Sequence, residues 1–156
     1  MTGSCIIYRT EKFFKIVTEA ESDIGLTIHS DPIYLIDISC SLEELSDLIF
    51  SSLANYKENV PTPKRDEWKD WQNNLLLKLK EKSFNSLYKN SVSCSLKLNN
   101  SKIKIILNKF IPKEGLTAIE DSTFILDYKA GNELEITKHV YKLLNEKFTD
   151  KKENKI

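Results

Sequence analysis

The sequence predicts an α+β domain: a central, mainly antiparallel sheet built from hairpins, with three or more amphipathic helices packed on it. Three observations carry this prediction. Val92, Cys94, Leu96 and Leu98 alternate with Ser93, Ser95 and Lys97, and beyond Asn99-Asn100-Ser101 the alternation resumes as Ile103, Ile105 and Leu107 against Lys102 and Lys104. Period-two alternation on both sides of an Asn-rich break is the pattern of a hairpin with one apolar and one polar face. Secondly, apolar residues recur at helical spacing in three stretches, and a helix with such a stripe must bury it against another element. Thirdly, the order of parts repeats along the chain, as two diverged β-β-β-α units would produce.

The elements follow in order. Ser4 to Tyr8 is a short apolar run that reads as a strand. Phe13 to Val17 and Ile24 to Ile28 flank the polar Glu19 to Asp23, which predicts a second hairpin with Glu19, Glu21 and Asp23 at its tip. Asp31-Pro32 signals a turn, and Ile33 to Ile38 reads as a strand covered on more than one side. Ser41-Leu42-Glu43-Glu44 is a capping box, and Leu42, Leu45, Ile49, Leu53 and Tyr56 continue at helical spacing. Thr62-Pro63 predicts the start of another helix, with Asp66, Glu67 and Asp70 near its positive end and Trp68, Trp71, Leu75 and Leu79 on one face. After the hairpin at 92–107, Phe110-Ile111-Pro112 and Gly115 mark an irregular crossing, and Thr123 to Leu126 reads as a strand. Asn132 offers a cap for a last helix striped by Ile136, Val140, Leu143, Leu144 and Phe148. Residues 1–148 thus form a single domain, and 149–156 read as a flexible polar tail. In the proposed repeat, Asp37 and Asp127 each follow the third strand of a unit.

Length and composition narrow the function. A chain of 156 residues buries a sufficient core without disulfides or metal. Cys5, Cys40 and Cys94 are odd in number and widely spaced, which fits neither a disulfide framework nor paired zinc ligands and points to a reducing compartment. No leader-like segment opens the chain and no apolar run approaches about eighteen residues, so the expectation is a soluble, cytoplasmic protein. The net charge is zero, yet residues 1–60 hold four basic against ten acidic side chains, and there is no Lys or Arg between Ile16 and Tyr56. Such an acidic segment suits a basic partner, although the same carboxylates also fit solvated loop and cap positions.

Catalytic signatures are missing. His29 and His139 lack a His or Cys at ligand spacing, the four glycines form no nucleotide-binding loop, and Cys94 falls on the apolar face of its hairpin. Glu43 and Glu44 are adjacent helix positions that point apart. The expectation is therefore a protein that is not an enzyme and needs no cofactor or metal. Lys64, Arg65 and Lys69 beside Trp68 and Trp71 resemble a nucleic-acid contact, but Asp66, Glu67 and Asp70 lie among them and cancel the field. A nucleic-acid-binding or regulatory interaction module stands as the alternative function.

Tyr8-Arg9-Thr10 with Phe13-Phe14-Lys15, the strand before Ser41-Leu42-Glu43-Glu44-Leu45, and Lys82-Ser83-Phe84 with Leu87-Tyr88-Lys89 ahead of the alternating hairpin resemble the bacterial contact-dependent growth inhibition immunity proteins of the CdiI type. The resemblance spans about Tyr8 to Phe148. It implies a small cytoplasmic protein whose partner is the C-terminal toxin domain of a cell-surface effector, commonly a nuclease, with no direct contact to membrane or nucleic acid. A nuclease cleft is cationic because it attracts a polyanion, and rigidly held carboxylates can occupy it. Charge placement, rather than any family motif, selects Glu19, Glu21, Asp23 and Asp31 as the residues expected to contact the toxin. Pairing of an exposed sheet edge with a toxin strand is a second mode. Self-association is left open.

Overall fold

The computed structural model describes residues 2–154. In chain order the elements are β1 (Thr2–Arg9), β2 (Phe13–Ser22), β3 (Thr27–Asp37), α1 (Leu42–Ala54), β4 (Lys57–Val60), α2 (Trp68–Leu79), α3 (Phe84–Lys89), β5 (Val92–Asn99), β6 (Lys102–Ile111), β7 (Gly115–Asp127) and α4 (Glu133–Glu153). Six strands form one sheet in the order β3-β2-β1-β5-β6-β7, every pair antiparallel, and β4 adds to β2 in parallel. The fold is α+β with a mainly antiparallel sheet, as the alternation and the helical stripes predict, although Asn132 does not cap the last helix because its side-chain amide is taken by the Asp127 carbonyl and the Lys129 amide. The β-β-β-α order occurs twice, and the two units meet at the central β1–β5 pair.

One face of the sheet, the front, carries the larger core. Cys5, Ile7, Phe14, Ile16, Cys94, Leu96, Leu98, Ile103 and Ile105 pack there against Leu45, Ile49 and Leu53 of α1 and Ile136, Val140 and Leu144 of α4. Alternation puts these side chains on one side of every strand. Full burial of each Ile, Leu, Val or Phe among them is worth about 1.5–3 kcal/mol. The reciprocal capping box at Ser41 and Glu44 starts α1 where the sequence predicts. The rear face holds a smaller core of Ile6, Tyr8 and Val17 under Leu75 and Leu79 of α2 and Leu87 of α3.

Several boundaries differ from the sequence expectations. The first hairpin turns at Asp23 to Gly25 rather than across Glu19 to Asp23, because buried Ser22 continues the strand. Its amide and hydroxyl both bond to Leu26, and Gly25 takes a φ of 81°. Asp31-Pro32 does not end a strand but lies inside β3, with a cis peptide bond, where a register shift opposite Val17 and Thr18 absorbs the two residues. Proline is tolerated there because β3 is an edge strand. Helix α2 begins at Trp68 instead of Thr62, since the Thr62 hydroxyl donates to Asp23 and the Glu67 carboxylate accepts from the Lys64 amide. The crossing near Pro112 is the turn between β6 and a β7 much longer than Thr123 to Leu126. Helix α4 runs to Glu153, through residues expected in the polar tail. Lys151 donates to the carbonyls of Tyr88 and Ser91, and Lys152 bonds to Glu11 at 2.7 Å. The remaining tail positions 155 and 156 lie outside the described residues.

Candidate interaction surface

The acidic end of the molecule is assembled by a contact that alternation does not encode. Strand β4 pairs with β2 at Ala20–Lys57 and Ser22–Val60, and the Asp23 amide donates to the Val60 carbonyl at 2.8 Å. This brings Glu58 alongside Glu21 and ties Thr62 to Asp23. Burial, followed by the charges of Glu21, Glu58 and Glu19, raises the pKa of Tyr56, whose hydroxyl lies 3.5 Å from the Glu21 carboxylate. Beyond Thr62, Asp66, Glu67 and Asp70 line a concavity of about 760 Å³ together with Pro61, Pro63, Lys64 and Trp71.

The four residues selected from charge placement have different surroundings. Glu21 and Asp23 are exposed and form no ion pair among the described residues. Glu19 stands within β2, half-buried on the rear face, and accepts from the Ser4 hydroxyl at 2.6 Å. Burial raises its pKa, while the Ser4 hydrogen bond and the charge of Lys97 oppose the shift. Asp31 is exposed but engaged, since Lys78 donates to both of its carboxylate oxygens at 2.9 and 3.0 Å. The strand therefore brings Glu21 and Asp23 to one outward-facing end, with Glu58 as the acidic neighbour that sequence reading missed. A four-residue parallel strand between a helix and a loop leaves no alternation to read.

The remaining reactive residue types are held in packed positions. Burial pushes the Cys94 thiol up to about 12 and raises Cys5 as well, which suppresses thiolate formation. His29 stacks against Trp71 at 6.0 Å and Phe84 at 6.5 Å between centroids, and burial lowers it to about 4. His139 is exposed on α4. Among the described residues, no three His, Cys, Asp or Glu side chains group to hold a metal ion, and no helix is long and apolar enough to cross a membrane.

No protein-family model matches the chain, and no curated protein matches it by sequence. Solved structures do share its fold. A protein of unknown function from Neisseria meningitidis, NMB0488, superposes with a TM-score of 0.69 at 22% identity, over 88% of this chain and 90% of that one. A chain of the CdiA-CT/CdiI toxin and immunity complex from Yersinia pseudotuberculosis superposes with a TM-score of 0.67 at 14% identity, over 88% of this chain and 92% of that one. At these identities the likeness is one of fold, and it extends over most of both chains.

Proposed function

We propose that this protein is an immunity protein that binds and neutralises the C-terminal toxin domain of a contact-dependent growth inhibition effector. The observation that carries the reading is the shared fold with a chain of a toxin and immunity complex over 88% of this sequence. The aromatic and capping motifs between Tyr8 and Phe148 point the same way, independently of the superposition. In this reading the protein acts in the cytoplasm as a stoichiometric, non-catalytic inhibitor without a cofactor. The toxin is a nuclease with a cationic cleft, and Glu21 and Asp23, supported by Glu58, supply carboxylates on a strand-braced end. Glu19 and Asp31 have a smaller part, because one is half-buried and the other is held by Lys78. Charges arranged in this way raise the association rate and select against partners of the wrong sign.

The test is protection in cells. The C-terminal quarter of the product encoded immediately upstream is expressed from an inducible promoter, and survivors are counted with and without this protein. Specific rescue, together with co-purification of the two chains, is the expected result. A toxic product that this protein neither binds nor neutralises refutes the reading. Salt-dependent retention of free DNA or RNA by the protein alone would instead favour a nucleic-acid-binding module.

A further inference from the structure

The two β-β-β-α units correspond position by position, and they differ in what covers them. Cys5 pairs with Thr18 in the first unit as Cys94 pairs with Leu107 in the second, so Lys15 corresponds to Lys104 and Val17 to Ile106. Their partners on the outer strands are Leu35 and Ile33 in β3, and Ile125 and Thr123 in β7. On the first unit this rear patch is covered by α2. Leu75 and Leu79 pack with Val17 and Ile33, and the Lys15 ammonium donates to the Leu79 carbonyl at 2.6 Å and to Glu81 at 3.0 Å.

On the second unit the same patch is open. Ile125 is 64% exposed, Lys97 and Lys104 are exposed beside it, and Lys104 has no hydrogen bond or ion pair among the described residues. Through Ser93 and Asn108 the patch runs into a groove of about 970 Å³ floored by Tyr88, Phe110 and Leu116. The charged residues lining that groove, Lys89, Lys109, Lys147 and Lys151, are all cations.

We propose that this uncovered half of the sheet docks an amphipathic helix of a partner protein, one that carries carboxylates beside its apolar stripe, in the place that α2 takes on the first half. Ile106 offers the apolar surface that Val17 offers to α2, Ile125 stands in the place of Leu35, and Thr123 takes the place of Ile33. Lys104 stands where Lys15 receives both a helix C-terminal carbonyl and a carboxylate, the two groups a cation there stabilises. The lysines around the patch and groove select an acidic helix over a basic one. Nucleic acid fits less well, because Tyr88 is already engaged by Tyr8, Phe84 and Phe110.

The experiment uses the full chain and a fluorescein-labelled designed peptide with Leu at i, i+3, i+4 and i+7 and Glu at the flanking positions. Anisotropy is expected to show saturable binding, absent for a scrambled peptide of the same composition. Lys104→Glu and Ile125→Asp are each expected to weaken it by about tenfold or more, with the thermal melt unchanged because both positions are exposed. Replacing Glu by Lys in the peptide should restore binding to a Lys97→Glu/Lys104→Glu variant. In the wild-type protein, amide chemical shifts of 97, 104, 106 and 125 should move on titration. Absence of saturable binding, binding indifferent to these substitutions, or shifts confined to other strands overturns the proposal. So does retention of a labelled single-stranded RNA without the peptide, which assigns the patch to nucleic acid. Toxin neutralisation does not enter these readouts, so the two proposals stand or fall separately.

Discussion

Removing Glu81 should cost far more than removing the pair it belongs to. The Lys15 ammonium is nearly inaccessible, with 6% of its side chain exposed against 17% for Glu81, and their 3.0 Å separation makes the attraction about 5–6 kcal/mol at an effective dielectric of about 20. Taking both ions out of water costs several kcal/mol each, so the intact pair contributes little net stability. Glu81→Ala leaves the cation buried with only the Leu79 carbonyl, and the expected loss is about 3 kcal/mol. Lys15→Met leaves Glu81 near the surface, where it rehydrates, and should cost about 1 kcal/mol. The double variant should match Lys15→Met within about 0.5 kcal/mol, a coupling of about 3 kcal/mol. Urea titration with an m-value of about 2 kcal/mol/M would register the Glu81→Ala loss as a fall of about 1.5 M in midpoint. A Glu81→Ala midpoint within about 0.25 M of wild type would mean that the carbonyl and water suffice for Lys15 and that Glu81 is not needed to hold the buried cation.

Other outcomes follow from individual contacts. A Cβ on Gly3 would stand 2.5 Å from the Leu53 carbonyl oxygen, a backbone atom of α1 that cannot swing away, so Gly3→Ala should lower stability by about 1–3 kcal/mol in a thermal melt. His29 stays neutral in the folded state until about pH 4, whereas the unfolded chain takes up its proton near pH 6.5. Stability should therefore fall by about 3 kcal/mol between those values, and His29→Phe should flatten that limb of the pH profile. Glu19 works in the opposite sense: its raised pKa disfavours the folded state at neutral pH, and the penalty is relieved as pH falls through the folded pKa. Glu19→Gln should stabilise the protein at pH 7, with the gain shrinking in acid; a constant gain would contradict burial as the cause. Native protein should react with a thiol reagent only at Cys40, with Cys5 and Cys94 labelled after denaturation; native labelling at Cys94 would contradict its packing. In a purified complex with the toxin, Glu21→Lys/Asp23→Lys should slow association and reduce its salt dependence. An unchanged rate would remove this end from the interface.

The elements that the sequence announced are those whose partners lie nearby or whose chemistry is local. Strands β5 and β6 alternate strictly across Asn100, which takes the left-handed φ of 56° that such a turn needs, and Ser41 caps α1 through its own side chain. What stayed hidden depends on residues far along the chain. Glu19 looks like a solvent-facing hairpin residue because Val17 and Lys15 share its side of the strand, and that side is covered only by α2 and α3, many residues later. Asp31-Pro32 has the composition of a turn, yet an edge strand accommodates it with a shift in register. Thr62 carries the signature of a cap but is claimed by Asp23. The acidic candidates were legible as charges, and their separation into exposed, half-buried and ion-paired members was not. The open rear face was invisible for the same reason, since Ile125 and Lys104 read as an ordinary alternation until the cover on the other unit is seen.

The seam between β1 and β5 sets an order of events during synthesis. Cys5 finds Leu96 as its strand neighbour, so one long edge of β1 has no partner until the ribosome has made nearly a hundred further residues. At ordinary elongation rates that interval is roughly 5–20 s. Throughout it, Ile6, Ile7 and Tyr8 stand on an unpaired border of a half-built sheet, the kind of border that captures strands from other chains. The first unit is thus exposed to aggregation while it waits for the second, and a slow stretch of translation between Lys57 and Ser91 would lengthen that exposure without altering a residue of the finished protein.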